Sequence, residues 1–211
     1  MTSGFFSAES RLGHLDQLWL PCVLIGGLLA YGIYGSLHST LNYGDPQFVV
    51  ALFSSEIMVA VYLLLITALF FPVDRIGLRQ PDTLEWKLLW PLLVMLGIVS
   101  GSWLVLRLTA PAVDNTLSLG MLRTTLLVGL NEEWIFRGIL MAAFCRRFGL
   151  RNGSLIALLL FGLAHAGNAL ISEYPLLSLL QVLTSMMTGS LLLLAALATR
   201  SLLPVMLAHG V

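Results

Sequence analysis

The residues most capable of chemistry lie together in one apolar stretch, LLVGLNEEWIFRGILMAAFC, which carries Glu132, Glu133 and Arg137 near its middle. A single charge at the centre of a bilayer costs at least about 2.5–3.5 kcal/mol. Three ionisable side chains in one such helix therefore have to face a protein interior or a water-filled cavity. Intramembrane ionisable residues of this kind indicate a functional site, either catalytic or part of an ion pathway.

Glu133 and Arg137 are four residues apart, which places them on one helix face in the order that favours an ion pair. Glu132 points about 100° away from Glu133. We therefore expect Arg137 to neutralise Glu133 and to leave Glu132 free to act as a general base. The alternative is a buried ion-pair cluster that only fixes helix packing, but buried pairs are weak stabilisers, which argues against it.

Two histidines on later apolar stretches are the candidate partners of Glu132. His165 follows Phe161 by four residues in FGLAHAGN, so the two rings can pack on one helix face. Glu132 and His165 each lie fourteen residues from an arginine at the end of their stretch. That spacing predicts a similar depth, about 20 Å. His209 is predicted to lie level with them or slightly shallower, so that a glutamate and two histidines converge from three helices.

The composition places these residues in a membrane protein. Apolar residues make up 58% of the 211 residues and charged residues 10%, against about 25% charged residues in soluble domains. Several continuous apolar runs reach the roughly 18 residues that cross a bilayer, and helices rather than a barrel suit such runs. We predict an all-α fold, a polytopic membrane helix bundle of about seven transmembrane helices, with a single domain over residues 1–211. The predicted spans are 18–37, 48–71, 88–106, 117–145, 154–169, 176–198 and one that begins near residue 202.

The distribution of charge predicts the orientation and the partners. With a cytoplasmic N-terminus, eight of the eleven basic residues fall in inside segments and Arg107 alone falls outside, a clear positive-inside bias. No small-residue cleavage site follows the first apolar run, so we interpret that run as a retained helix. The formal net charge of zero gives no reason to expect nucleic acid as a partner. The expected surroundings are the lipid bilayer.

At this point the motifs resemble a known family. Glu132-Glu133-x-x-x-Arg137, then Phe161-x-x-x-His165, then a late His209 resembles the CAAX protease and bacteriocin-processing family (CPBP, or Abi) of intramembrane glutamate proteases. The flanking FRG, FGLAH, IGLRQP and LLPVMLAH segments agree with it. The resemblance covers residues 74–211, whereas the first two predicted spans carry no signature of the family.

The resemblance implies a metal-independent intramembrane endopeptidase of the CAAX prenyl endopeptidase type, without a cofactor. Glu132 and His165 would activate water, Glu133 and Arg137 would support the site or hold substrate, and His209 would help to stabilise the oxyanion. The substrate would be a membrane-associated protein or peptide, such as a prenylated protein, a bacteriocin precursor or a sorting signal. The implied location is a prokaryotic plasma membrane.

The end of the chain departs from the family pattern. In the family an asparagine of the oxyanion hole follows the last histidine by four residues, and that position, 213, lies past Val211. Either the sequence is shortened or the protein lacks that donor, and a protein without it is expected to be slower by about 10²–10³-fold. This favours an alternative function, a catalytically impaired member that acts as a membrane immunity or scaffolding protein.

Two further alternatives follow from the residue types alone. Glu132, His165 and His209 are possible zinc ligands, but the chain has no His-Glu-x-x-His pair to supply two of them from one helix. We therefore expect no metal. Buried glutamate, arginine and histidine also mark transporters and proton relays, but the repeated broken helices of transporters are missing from the sequence pattern.

Polar residues elsewhere in the apolar stretches have structural interpretations. Glu56 and Arg123 are predicted at similar depth on the outer side of the bundle, which suggests an ion pair that serves packing. The sixth stretch carries a polar stripe, for which we expect hydrogen bonding between helices, and lining of a substrate cleft as the alternative. The stripe consists of Ser178, Gln181, Thr184 and Ser185.

Overall fold

The structure is a computed structural model that describes residues 22–30, 46–71, 76–80, 115–170 and 175–210, with Trp90, Val94, Gly97, Gly101 and Val105. These described residues contain helices and turns and no strand, which confirms the all-α prediction. The α-helices with defined bounds are α1 (Pro46–Phe70), α2 (Asn115–Glu133), α3 (Met141–Ala164), α4 (Pro175–Thr199) and α5 (Leu203–His209). A π-helix, Trp134–Leu140, joins α2 to α3, and a 3₁₀ helix, His165–Leu170, follows α3.

Three helical segments among the described residues are long and apolar enough to cross a membrane: Gln47–Leu69, Leu122–Asn168 and Leu179–Thr199. They overlap the second, fourth, fifth and sixth predicted spans. Residues 22–30 of the first predicted span and the five single residues named above, which fall in the third, are also helical. The remainder of those two spans lies outside the described residues. The last predicted span corresponds to α5, which is seven residues long.

Prolines and one glycine set several helix boundaries. Helix α1 begins at Pro46 and α4 at Pro175, where a missing backbone N–H costs the helix nothing. Helix α3 is interrupted at Gly149, whose φ of 78° and ψ of 164° suit a residue without a Cβ. Beyond this break the chain folds back on itself, since Gly153 packs against the backbone of Cys145. The break thus separates the predicted fourth and fifth spans.

Residues 76–80 fix the start of α5. The N–H of Leu202 donates to the carbonyl of Gly77 at 2.8 Å. The Nε of Arg79 donates to the carbonyl of Arg200 at 2.7 Å, and the hydroxyl of Ser201 donates to the carbonyl of Arg79. These bonds hold the segment that leads into α5, and they therefore determine where His209, the last residue of α5, is placed.

Among the described residues, the most deeply buried ones surround the π-helix. All seven π-helix residues are buried, and Ile139, Phe161 and Val205 from three different elements are at most 1% exposed. Apolar side chains on the outer faces are open instead, for example Met58 at 65% and Leu183 at 59%. An apolar outer surface suits contact with lipid, because apolar side chains that face hydrocarbon are not exposed to water.

Candidate active site

The two glutamates occupy the end of α2, where the helix changes from α to π geometry. Glu133 is the last residue of α2 and Trp134 the first of the π-helix. Such π segments are rare, and they occur frequently at functional sites because they re-aim the side chains around them. The indole N–H of Trp134 donates to the hydroxyl of Thr67 on α1 at 3.0 Å. This hydrogen bond therefore ties the first residue of the π-helix, directly after the glutamates, to α1.

Glu133 and Arg137 form the predicted ion pair inside the protein. Nη1 of Arg137 lies 3.0 Å from Oε1 of Glu133, and the two side chains are 3% and 0% exposed. Nη2 of Arg137 donates to the carbonyl of Gly189 on α4 at 3.1 Å. A Cβ at position 189 would lie 2.7 Å from that Nη2, so a glycine is needed for the guanidinium to come this close.

His209 contacts both glutamates. Its Nδ1 lies 2.8 Å from Oε1 of Glu133, and its Nε2 lies 3.5 Å from Oε2 of Glu132. This approach depends on a close crossing of α2 and the end of α5. A Cβ on Gly129 would lie 2.5 Å from the backbone N of Gly210, so only two glycines permit the contact. His209 is thus level with the glutamates, the deeper of the two positions predicted for it.

His165 lies at the end of α3, where the chain changes from α to 3₁₀ geometry. Its Nδ1 lies 2.9 Å from the carbonyl oxygen of Phe161. A carbonyl can only accept, so Nδ1 carries the hydrogen, and a neutral ring then has Nε2 as its acceptor. The Phe161 ring packs against His165 and also against His209, whose Nε2 lies 3.5 Å from Oε2 of Glu132. Glu132 and His165 are thus linked through Phe161 and His209.

The ring of Phe161 is the packing centre of the site. Its centroid lies 5.0 Å from that of His165 and 5.7 Å from that of His209, both with edge-to-face geometry. The guanidinium carbon of Arg137 lies 3.9 Å above the same ring. The sequence predicted only the neighbour four residues away. One aromatic side chain thus packs against the guanidinium on its face and against both imidazoles.

The structure therefore gathers all five residues that the sequence singled out. Their positions are the end of α2 for the glutamates, the π-helix for Arg137, the 3₁₀ helix for His165 and α5 for His209. The glycines that let these elements approach carry no signal in the sequence pattern; they are Gly129, Gly189 and Gly210. No periodicity signals a glycine of this kind, since its role depends on which helix crosses it.

Two predictions about the other polar residues have different outcomes. The carboxylate of Glu56 accepts a hydrogen bond from Asn131 at 2.7 Å, whereas Arg123 is exposed, so Glu56 has a different partner from the predicted one. In the polar stripe of α4, Gln181 accepts a hydrogen bond from Asn168 at 2.9 Å, a contact between helices of the expected kind. The side chain of Ser178 lies outside the described residues.

Within the described part of the chain, no group of three or more His, Cys, Asp and Glu side chains has an arrangement that could hold a metal ion. The cluster instead pairs acids with a guanidinium and imidazoles. A carboxylate that faces an imidazole, beside a second carboxylate that is already neutralised, is suited to accepting and returning a proton.

Comparison with known families agrees with this geometry. Residues 114–211 match the Rce1-like family, described as type II CAAX prenyl endopeptidase Rce1-like. The match confirms the resemblance to the CAAX protease family that the sequence motifs suggested. It contains both glutamates, Arg137 and both histidines of the site. Neither the comparison with curated proteins nor that with solved structures gives a significant match.

Proposed function

We propose that this chain, whose residues 114–211 match the Rce1-like family, is an intramembrane endopeptidase that hydrolyses peptide bonds of membrane-associated proteins. Glu132 and His165 would activate the attacking water, without a metal ion. The observation that supports this most is the difference between the two glutamates. Glu132 is 26% exposed and touches His209 at 3.5 Å, whereas Glu133 is 0% exposed and is held by Arg137 and His209.

That difference assigns a separate task to each carboxylate. The negative charge of Glu133 is offset by a guanidinium at 3.0 Å and an imidazole at 2.8 Å, so this carboxylate is already engaged in holding both groups. Glu132 is the partly exposed carboxylate of the two, so it is the one that a water molecule can reach. We assign Glu132 as the general base and Glu133 as the group that orients Arg137 and His209.

The geometry around His165 suits a role beside Glu132. Because its Nδ1–H donates to the carbonyl of Phe161, its Nε2 can accept a hydrogen from the attacking water and orient it. Glu132 takes a proton from that water while the water oxygen bonds to the peptide carbonyl carbon. The carbonyl oxygen becomes an oxyanion, which the Nε2–H of a His209 ring with hydrogens on both nitrogens can stabilise.

Collapse of this intermediate completes the hydrolysis. The carbon–nitrogen bond of the peptide breaks, and the departing nitrogen receives the proton that Glu132 took from water. The products are a new carboxyl terminus and a new amine, and Glu132 returns to its carboxylate form. Each residue ends in the protonation state in which it began, so the cycle needs no oxidant, reductant or cofactor.

The substrate class follows from the family and from the location of the site. A family of CAAX prenyl endopeptidases acts on membrane-associated proteins, so we propose a substrate tethered to the bilayer near its cleaved end. A lipidated peptide can reach an intramembrane carboxylate laterally, through lipid, which a soluble peptide cannot do without desolvation. We also propose that the N-terminus is cytoplasmic, as the arginine distribution predicts.

The proposal is tested by cleavage of a farnesylated peptide that ends in Cys-a-a-X, with the purified protein reconstituted in lipid vesicles. Glu132→Gln and His165→Ala are each expected to lower the rate by about 10²–10⁴-fold, the contribution of a general base. Arg147→Gln is the control, since this arginine is exposed and lies close to the Gly149 break. All three variants should accumulate to the level of the wild-type protein.

Other outcomes distinguish the alternative functions. Failure of the wild-type protein to cleave prenylated or other membrane-tethered peptides would contradict the proposal. A biological effect that persists in both site variants would favour a membrane immunity or scaffolding protein. Proton or ion flux across the vesicles that depends on Glu132, without cleavage, would favour a transporter.

A further inference from the structure

Glu56 is an ionisable residue inside a membrane-crossing helix, and the proposed hydrolysis makes no use of it. It lies in α1, within the segment Gln47–Leu69 that is apolar enough to cross a membrane. It also lies outside residues 114–211, the part that matches the family. Carboxylates at this depth are unfavourable and are retained where they have a task and a partner.

The partner of Glu56 is Asn131, the residue directly before Glu132. Nδ2 of Asn131 donates to Oε2 of Glu56 at 2.7 Å and to the backbone carbonyl of Glu56 at 2.9 Å. A side-chain amide has two N–H groups, so both are used on one residue of α1. Asn131 is 2% exposed, and its Oδ1 has no hydrogen-bond partner among the described residues. The amide is thus oriented by Glu56.

The contact of Asn131 with Glu56 lies in the helix turn that carries Glu132, so it can influence the orientation of the Glu132 side chain. Asn131, Glu132 and Glu133 form the last turn of α2, and the helix takes π geometry from Trp134 onward. Where backbone hydrogen bonding changes from the i+4 pattern of an α-helix to the i+5 pattern of a π-helix, the preceding turn is held by fewer regular backbone hydrogen bonds. The two bonds from Asn131 tie that turn to α1.

We propose that Glu56 is a positioning residue of the site, which acts through Asn131 to hold the Glu132 carboxylate in line with the bound peptide. The inference rests on the proposed endopeptidase function. In this role Glu56 acts through Asn131 and not on the substrate itself. Its loss should therefore slow the chemical step while substrate binding stays as it was.

The test uses near-isosteric variants, because they keep the volume of the buried contact. In Glu56→Gln the side-chain carbonyl still accepts from Asn131, and kcat for the farnesylated peptide should stay within about threefold of wild type. In Asn131→Asp two carboxylates face each other, and kcat should fall by at least about 30-fold. A misplacement of about 1 Å in such a site lowers the rate by about 10²-fold. KM should change by less than about twofold.

The combination Glu56→Gln with Asn131→Asp reverses the direction of the hydrogen bond, because the amide introduced on α1 would donate to the carboxylate introduced on α2. The kcat of this double variant should be at least tenfold higher than the kcat of Asn131→Asp alone. Ser55→Ala is the matched control on α1, since Ser55 is exposed and its hydroxyl donates to the carbonyl of Leu52 in its own helix. It should have wild-type kcat and KM.

Three results would overturn the inference. Wild-type kcat in Asn131→Asp would show that the contact does not position the site. A double variant that is no better than Asn131→Asp would show that the loss did not come from the broken hydrogen bond. A loss that appears in KM alone would indicate a role in binding. Absence of cleavage by the wild-type protein would overturn the endopeptidase function and this inference together.

Discussion

The Nδ1 of His209 lies 2.8 Å from Oε1 of Glu133, although 76 residues separate the two in the chain. The same carboxylate oxygen lies 3.0 Å from the guanidinium of Arg137. One buried carboxylate therefore orients a cation from the π-helix and an imidazole from α5. The second glutamate, Glu132, is reached by the far side of that imidazole. His209 therefore connects the buried pair of Glu133 and Arg137 to Glu132, the carboxylate proposed to act on water.

The first prediction separates the structural and the chemical roles of His209. His209→Ala removes the donor to Glu133, which is 0% exposed, and should lower the free energy of unfolding by about 1–3 kcal/mol. In His209→Asn the amide N–H takes the place of Nδ1–H and should keep stability near wild type. Both variants should lower kcat by about 10²–10³-fold, because neither has a ring nitrogen beside Glu132.

Denaturant titration in detergent micelles measures the stabilities, and cleavage of the farnesylated peptide measures kcat. The interpretation requires the two variants to differ in stability and to agree in activity. If His209→Asn cleaves as fast as wild type, the Nε2 of His209 has no part in the reaction.

The second prediction concerns the buried ion pair. Arg137→Leu leaves the Glu133 carboxylate without its cation in a fully buried position, and it should lower the free energy of unfolding by about 3–5 kcal/mol. Adding Glu133→Leu removes the unpaired charge and should recover most of that stability. The double variant should remain inactive, because His209 then has no carboxylate to hold its Nδ1. Recovery of cleavage along with stability would contradict the role assigned to Glu133.

The third prediction concerns the space around the guanidinium. In Gly189→Ala the new methyl group would lie 2.7 Å from Nη2 of Arg137 and 2.8 Å from Cδ1 of Phe161. Both groups are packed in the site and have to move, so kcat should fall by about tenfold or more. Gly27→Ala is the control, since nothing lies within 4 Å of a Cβ there. Equal cleavage rates in the two variants would show that the site tolerates displacement of Arg137 and Phe161.

The membrane class and the main site residues were predictable because their signals are local. A glutamate and an arginine four residues apart meet on any α-helix, and an apolar run of sufficient length has no stable alternative to a helix in lipid. The ion pair of Glu133 with Arg137 and the contact of Phe161 with His165 followed from this spacing alone. These contacts are almost independent of the arrangement of the other helices.

The features that were not predictable depend on which helices cross. The sequence pattern gives no sign that the chain takes π geometry after Glu133. Depth along the helix suggested Arg123 as the partner of Glu56, but rotation about the helix axis decides such pairs, and Asn131 takes that place. Likewise, Phe161 contacts His209 and Arg137 only because α5 and the π-helix pack on α3. Such contacts need the tertiary arrangement.

The last prediction tests the crossing that brings His209 to the glutamates. In Gly129→Ala a methyl group would lie 2.5 Å from the backbone N of Gly210 and 2.8 Å from its Cα. Backbone atoms cannot move aside as a flexible side chain can, so α5 should shift away from α2 and lengthen the contact of His209 with Glu133. We expect kcat to fall by about 10²-fold, the effect of a displacement of about 1 Å.

Gly120→Ala is the matched control on the same helix. There the new methyl group would meet the Cγ1 of Val49 at 3.0 Å, and a valine side chain can adjust by a few tenths of an ångström. Cleavage rates of the two variants, measured with the farnesylated peptide in lipid vesicles at matched protein level, decide the outcome. A Gly129→Ala protein as active as Gly120→Ala would mean that catalysis does not require the close approach of α5, and His209 would then lose its place in the mechanism.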